Sequence, residues 1–140
     1  MTTRLIGRAG WRLVEAGWKR GPATLEHGPA LVSFTDFTFA RWRDLPGAWL
    51  AAARLRRRWP TRQGAVGLML WAQPWRRRSG SISIWLGEAE LRRFIGSSEH
   101  VKIMRRHRQR MSGSAATWQA HPFVRADAVG EARRRLAARG

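Results

Sequence analysis

The chain is expected to fold as an α+β, ferredoxin-like β-α-β-β-α-β sandwich: a four-stranded antiparallel sheet with two helices on one face. Three observations point there. Residues 30–39, 64–73 and 81–85 have the composition of strands, the last with clean period-two alternation. A helical stripe separates the first two, and a loop short enough for a hairpin separates the second and third. A helix broken at Gly96-Ser97-Ser98 then leads to a short closing strand that carries Trp118. That order is the split β-α-β unit, which covers one sheet face with helices and leaves the other bare.

Ala30 to Phe39 (ALVSFTDFTF) is rich in β-branched and aromatic residues. Alternation sets Leu31, Ser33, Thr35 and Phe37 on one side, with Val32, Phe34 and Asp36 on the other. From Asp44 to Trp59 the pattern is helical. Asp44 is the expected N-cap and Pro46 falls in the first turn, where its missing N–H does no harm. Leu45, Trp49, Ala52 and Ala53 give the apolar stripe, and Arg54, Arg56, Arg57 and Arg58 complement the C-terminal end of the helix dipole before Pro60 stops it. GAVGLMLWAQ (64–73) is a nearly continuous apolar run, and Pro74 to Gly80 turns the chain into Ser81–Trp85. The closing strand is expected over Ser114–Gln119.

Residues 1–28 read as an N-terminal extension, where the spacing of Trp11, Val14 and Trp18 predicts a short amphipathic helix. Residues 29–122 form the expected domain. Residues 123–140 form a basic tail, with Ala128, Val129, Ala132 and Leu136 on one face of a terminal helix. Large apolar residues on both sides of the strands predict that the bare sheet face is covered by a second copy, giving a homodimer.

Bulk properties narrow the function classes. A 140-residue chain with 44% hydrophobic residues supports one domain with a real core. The absence of cysteine excludes disulfides, thiolate metal sites and a cysteine nucleophile. No segment reaches the roughly 20 apolar residues of a spanning helix, and the first residues lack a signal-peptide core, so a cytoplasmic location is expected. The formal charge is +18, and all cations but Lys19 and Lys102 are arginine. A field of that size attracts polyanions. Trp75-Arg76-Arg77-Arg78 is the best basic and aromatic patch for nucleic acid, although no RNP-type signature lies on the strands.

The best candidates for chemistry lie on the second half of the broken helix. His100, Met104, His107 and Met111 share one helical stripe. Two readings are open: an imidazole serving as acid, base or axial haem ligand, or a core face filled by histidine and methionine. His100, at the helix start, is the preferred functional residue. His107 stands among Arg105, Arg106, Arg108 and Arg110 and is expected to face solvent. Asp36, a carboxylate in an apolar strand, is a candidate acid or base, or else the partner of an arginine. Ser81 and Ser83 are candidate hydrogen-bonding groups for a ligand. The scattered histidines, with no cysteines, predict no metal site.

Ser81, Ser83, Trp85, Glu88, Leu91, Phe94, Ser97, His100, Met104 and Trp118 together resemble the pattern of the dimeric α/β-barrel superfamily. Antibiotic-biosynthesis monooxygenases, haem-degrading monooxygenases and spheroidene monooxygenase-like proteins belong there. The likeness spans about residues 30–120. It implies two sheets pairing into a barrel and a ligand pocket between each sheet and its helices. Ser81, Ser83, Trp85, Phe94 and Met104 would contact substrate, and His100 or Asp36 would supply a base. The implied activity is oxygenation or isomerisation of an apolar, polycyclic or isoprenoid substrate; some members use no metal or flavin. Haem-degrading relatives use a strand Asn, a helix Trp and a His. Here Asp36, Phe94 and Met104 stand nearest those positions, so haem is a secondary expectation. A non-catalytic polyanion-binding module is the further alternative.

Overall fold

The structure is a computed structural model, and it describes residues 2–4, 13–25, 28–121 and 123–139. Trp11, part of the pattern that suggested an N-terminal helix, lies outside the described residues.

Six strands make one antiparallel sheet: β1 (Thr2–Arg4), β2 (Leu13–Arg20), β3 (Ala30–Phe39), β4 (Ala65–Gln73), β5 (Arg78–Trp85) and β6 (Met111–Ala120). Their spatial order is β1-β2-β4-β5-β3-β6. The expected β-α-β-β-α-β order is present as β3, α1 (Leu45–Arg58), β4, β5, the broken pair α2 (Glu88–Ile95) and α3 (Ser98–His107), and β6. The sheet is wider than the four strands expected. The segment read as an amphipathic helix is instead β2, hydrogen-bonded antiparallel to β4.

The alternation predicted for β3 holds through an unbroken register, with Ser33 opposite Ser83 and Thr35 opposite Ser81 on one side. On β4 the register shifts between Ala65 and Gly67, and every residue of that strand is buried. Two cores result. One, between the sheet and α1–α3, holds Leu31, Trp59, Leu68, Leu70, Trp85 and Leu91. The other, on the opposite face, holds Val32, Phe34, Met69, Trp71, Ile82 and Ile84.

That opposite face is the one expected to await a second copy. It is covered within the chain by α4 (Arg125–Arg139), whose Ala128, Ala132 and Leu136 join this core. Cations fasten the helix. Arg125 lies 4.5 Å over the Trp18 ring and Arg135 lies 4.6 Å over Trp118, with Phe123 stacked against Trp18. Trp18 in turn lies flat on Gly67, where a Cβ would fall inside the indole. Strands β1 and β2 and helix α4, from the segments expected as an extension and a tail, thus pack on the sheet or pair within it.

Asp44 does not cap α1. It ends a 3₁₀ turn (Trp42–Asp44) that runs straight into the helix, with helical dihedrals and no side-chain capping bond. The cap that does form is Ser97, in extended conformation, whose hydroxyl accepts the His100 N–H at 3.3 Å. Gly96 and Ser97 close α2, and Ser97 caps the restart of the chain as α3. Among the described residues no helix is long and apolar enough to cross a membrane.

Candidate functional site

Between the sheet and helices α1–α3 lies a cleft of about 350 Å³. That is within the range of small-molecule sites. Its floor carries a line of hydroxyls from two paired strands: Ser33 and Thr35 from β3, and Ser79, Ser81 and Ser83 from β5. Leu68 and Leu70 flank this line on β4, and Phe37 and Phe39 continue it on β3. The roof is Ala48, Ala52 and Leu55 of α1, Leu91, Phe94 and Ile95 of α2, and His100, Ile103, Met104 and His107 of α3.

The floor hydroxyls are ordered by one another. Thr35 Oγ1 accepts the Ser81 backbone N–H at 2.9 Å and lies 2.8 Å from Ser81 Oγ. Ser83 Oγ accepts the Trp85 indole N–H at 2.9 Å. Of the two alternating sets on β5, the serine set thus faces the helices. Trp85, expected to touch substrate, shares that face but does not line the cleft. It is fully buried behind one end, with Trp59 at 5.1 Å and Phe94 at 5.1 Å between ring centres. Burial of each such aromatic contributes about 1.5–3 kcal/mol, which fixes the position of the Phe94 ring that does line the cleft.

His100 packs edge-on against Phe94, with ring centres 4.9 Å apart. Its Nδ1 lies 3.1 Å from the Ile95 carbonyl oxygen. A carbonyl can only accept, so Nδ1 carries the proton and the neutral ring keeps its lone pair on Nε2. Burial pulls the His100 pKa below the usual histidine value, and Arg62 adds to this, against the raising effect of the Ile95 bond. Arg62 itself lies 4.8 Å over the Phe94 ring and donates to Glu99 at 2.9 Å. Near neutral pH, His100 is thus an uncharged proton acceptor.

His107 contradicts its expectation. It is buried, lines the cleft, and its Nδ1 has no hydrogen-bond partner in the structure. Its pKa is lowered first by burial, then by Arg106 and Arg110, with Asp44 opposing. The spacing from His100 is seven residues, two helical turns, which puts the two backbone positions about 10 Å apart along one roof helix. Met104 lies between them.

Asp36 is not part of this site. Its side chain is on the α4 side of the sheet, 3% exposed, and accepts from Arg78 Nη2 at 2.6 Å and Nε at 3.3 Å. Strand alternation puts the sheet between it and anything held in the cleft. Of the expected contacts, then, Ser81, Ser83, Phe94, His100 and Met104 meet around one cavity, and Asp36 and Trp85 do not line it. Ser33 and Thr35 join them unforeseen, and His107, a candidate expected to face solvent, lines the cleft as well. The first two share a face with Ser81 and Ser83 only through the β3–β5 register, a pairing no local pattern states.

Among the described residues no three of His, Asp or Glu stand together to hold a metal ion. The lining also fits haem poorly. Nε2 of His100 has the tautomer of a ligand, but the cleft lining includes no Lys or Arg to neutralise two propionates. Titrating the protein with haem is accordingly expected to give no Soret band that depends on His100.

No protein-family model matches the sequence, and no curated protein matches it. Solved structures do match in shape. SnoaB from Streptomyces nogalater, described as a cofactor-independent oxygenase, superposes with a TM-score of 0.54 at 14% identity, over 70% of this chain and 99% of its own. A conserved protein from Bacteroides thetaiotaomicron, described as a possible oxidoreductase, gives 0.56 at 10% identity, over 65% and 98%. Protein SO0527 from Shewanella oneidensis gives 0.57 at 10%, over 68% and 95%. The fold is thus one shared with these proteins.

Proposed function

We propose that the protein binds an apolar, polycyclic small molecule in the cleft and oxygenates it, with the substrate itself activating O2. The observation that carries this is His100: a neutral imidazole in an apolar cleft, its Nδ1 proton directed to Ile95 and its Nε2 left to accept. The likeness to a cofactor-independent oxygenase supports the reading at the level of fold.

In this reading Nε2 takes a proton from a methylene flanked by aromatic rings or a carbonyl. The carbanion passes one electron to O2, and the radical pair combines to form the C–O bond of a peroxide. Imidazolium returns its proton to the peroxide, and loss of water leaves a carbonyl. The balance is CH2 + O2 → C=O + H2O. Thr35 and Ser81 would hold a substrate oxygen, while Phe94, Met104 and the α1 face exclude water.

The test is turnover of tricyclic aromatic ketones bearing an acidic methylene, followed by O2 uptake and carbonyl absorbance. His100→Ala should lower kcat by about 10²–10⁴-fold with little change in ligand Kd. The base must be unprotonated and its pKa is lowered, so kcat/KM should be flat around neutrality. It should fall only as pH drops below the ordinary histidine value. An unchanged rate in His100→Ala, or a rising limb above pH 7, would remove His100 from the chemistry.

We infer that the chain works as a monomer: α4 packs on the sheet face through which two sheets would pair into a barrel.

A further inference from the structure

Beyond the cleft, the geometry points to a binding surface for single-stranded nucleic acid at the end of the sheet where β3 finishes and β6 begins. Three turns meet there. The Ala40 N–H donates to the Arg110 carbonyl at 2.8 Å, the Phe39 N–H to the Arg77 carbonyl at 2.7 Å, and Arg77 Nη1 to the Ala40 carbonyl at 2.9 Å. These bonds join the β3–α1 link, the β4–β5 hairpin and the 3₁₀ turn after α3 (Arg108–Arg110) at one end of the sheet. Arg77 has φ +56°, the left-handed region, and is the sole non-glycine residue with positive φ among the described residues. An L side chain there costs about 1–2 kcal/mol, and here that conformation accompanies the bond that ties two of the turns together.

The chemistry of this surface is consistent across all three turns. Trp42 and Trp75, 55% and 45% exposed, project from the link and the hairpin. Arg41, Arg43, Arg76, Arg77, Arg108 and Arg110 are exposed around them. Among the described residues Arg41, Arg43, Arg108 and Arg110 form no ion pair with a carboxylate. Arg78, the last cation of the hairpin run, instead turns inward to Asp36. Arginine forks match phosphate oxygens, and a fixed, exposed indole offers a stacking platform to any base. A duplex hides its bases, and turns supply no helix or ribbon to enter a groove. A lipid surface takes a continuous apolar face, whereas each indole here is flanked by arginine and stands on a separate turn. Leu50, Leu86, Ile95 and Val124, the other large exposed apolar residues, lie on other segments.

The experiment is fluorescence anisotropy of a labelled 15-nucleotide mixed-sequence RNA with the full chain, between about 50 and 200 mM salt. The corresponding duplex and anionic phosphatidylglycerol vesicles are run beside it. Binding should favour the single strand and weaken steeply with salt. Trp42→Ala and Trp75→Ala should each weaken it about 5- to 150-fold. Arg108→Ala/Arg110→Ala should flatten the log–log salt slope by about 0.7 for each phosphate that is no longer neutralised. Arg92→Ala/Arg134→Ala removes the same charge elsewhere and should leave the slope unchanged. Equal loss in both arginine pairs, indifference to the two tryptophans, preference for duplex or vesicles, or no binding at 50 mM salt would each overturn the proposal.

Discussion

Asp36→Ala is expected to cost about 3–5 kcal/mol of stability and to leave ligand binding in the cleft unchanged. The cause lies in its partner. Arg78 is buried to 9% side-chain exposure, so removing the carboxylate strands a guanidinium in the core. A domain of this size has a total stability of only about 5–15 kcal/mol, so the midpoint of urea unfolding should fall sharply. Asp36→Asn should lose stability too, since it keeps the shape but not the charge. The double change Asp36→Leu/Arg78→Met should recover most of the loss, because apolar groups of similar size often replace a buried pair without penalty. Near-native stability together with lost turnover would return Asp36 to the chemistry.

The second large effect concerns α4. Ending the chain at residue 122 should expose Val32, Phe34, Trp71, Ile82 and Ile84, a contiguous apolar face on a stable sheet. The full chain is expected to sediment as a monomer and the shortened one to self-associate. Leu136→Asp tests the same packing with one residue, by placing a charge in the core that Leu136 now shares with Ala128 and Ala132. A full chain that sediments as a dimer with α4 still protected from hydrogen exchange would contradict the monomer.

Local periodicity is what the sequence makes legible. β3, the β4–β5 hairpin, the broken helix and the terminal helix all carry their own pattern, and each is present. The misreadings are of another kind. Val14 and Trp18 are spaced like a helix face, yet they lie on β2, where a register irregularity between Ala16 and Lys19 breaks the period of two. Whether that strand forms depends on the free edge of β4, a segment far away in sequence. The arginine neighbours of His107 argue for solvent, although its seven-residue spacing from His100 places both on one face. Asp36 can be read as acid or as ion-pair partner, and only the position of Arg78 across the strand decides. For the tail, an apolar stripe says that α4 must cover something but not which side of the sheet.

The hydrogen-bonded pair Thr35 and Ser81 has a consequence for turnover. Either oxygen can be the donor, so the pair inverts by rotating two hydroxyls, with no heavy atom moving. In the proposed reaction a hydroperoxide, which offers an O–H, gives way to a carbonyl, which only accepts, and the two make opposite demands on the same pair. A floor of amides or carboxylates would fit one better than the other, while this one can greet the first and release the second from an unchanged scaffold.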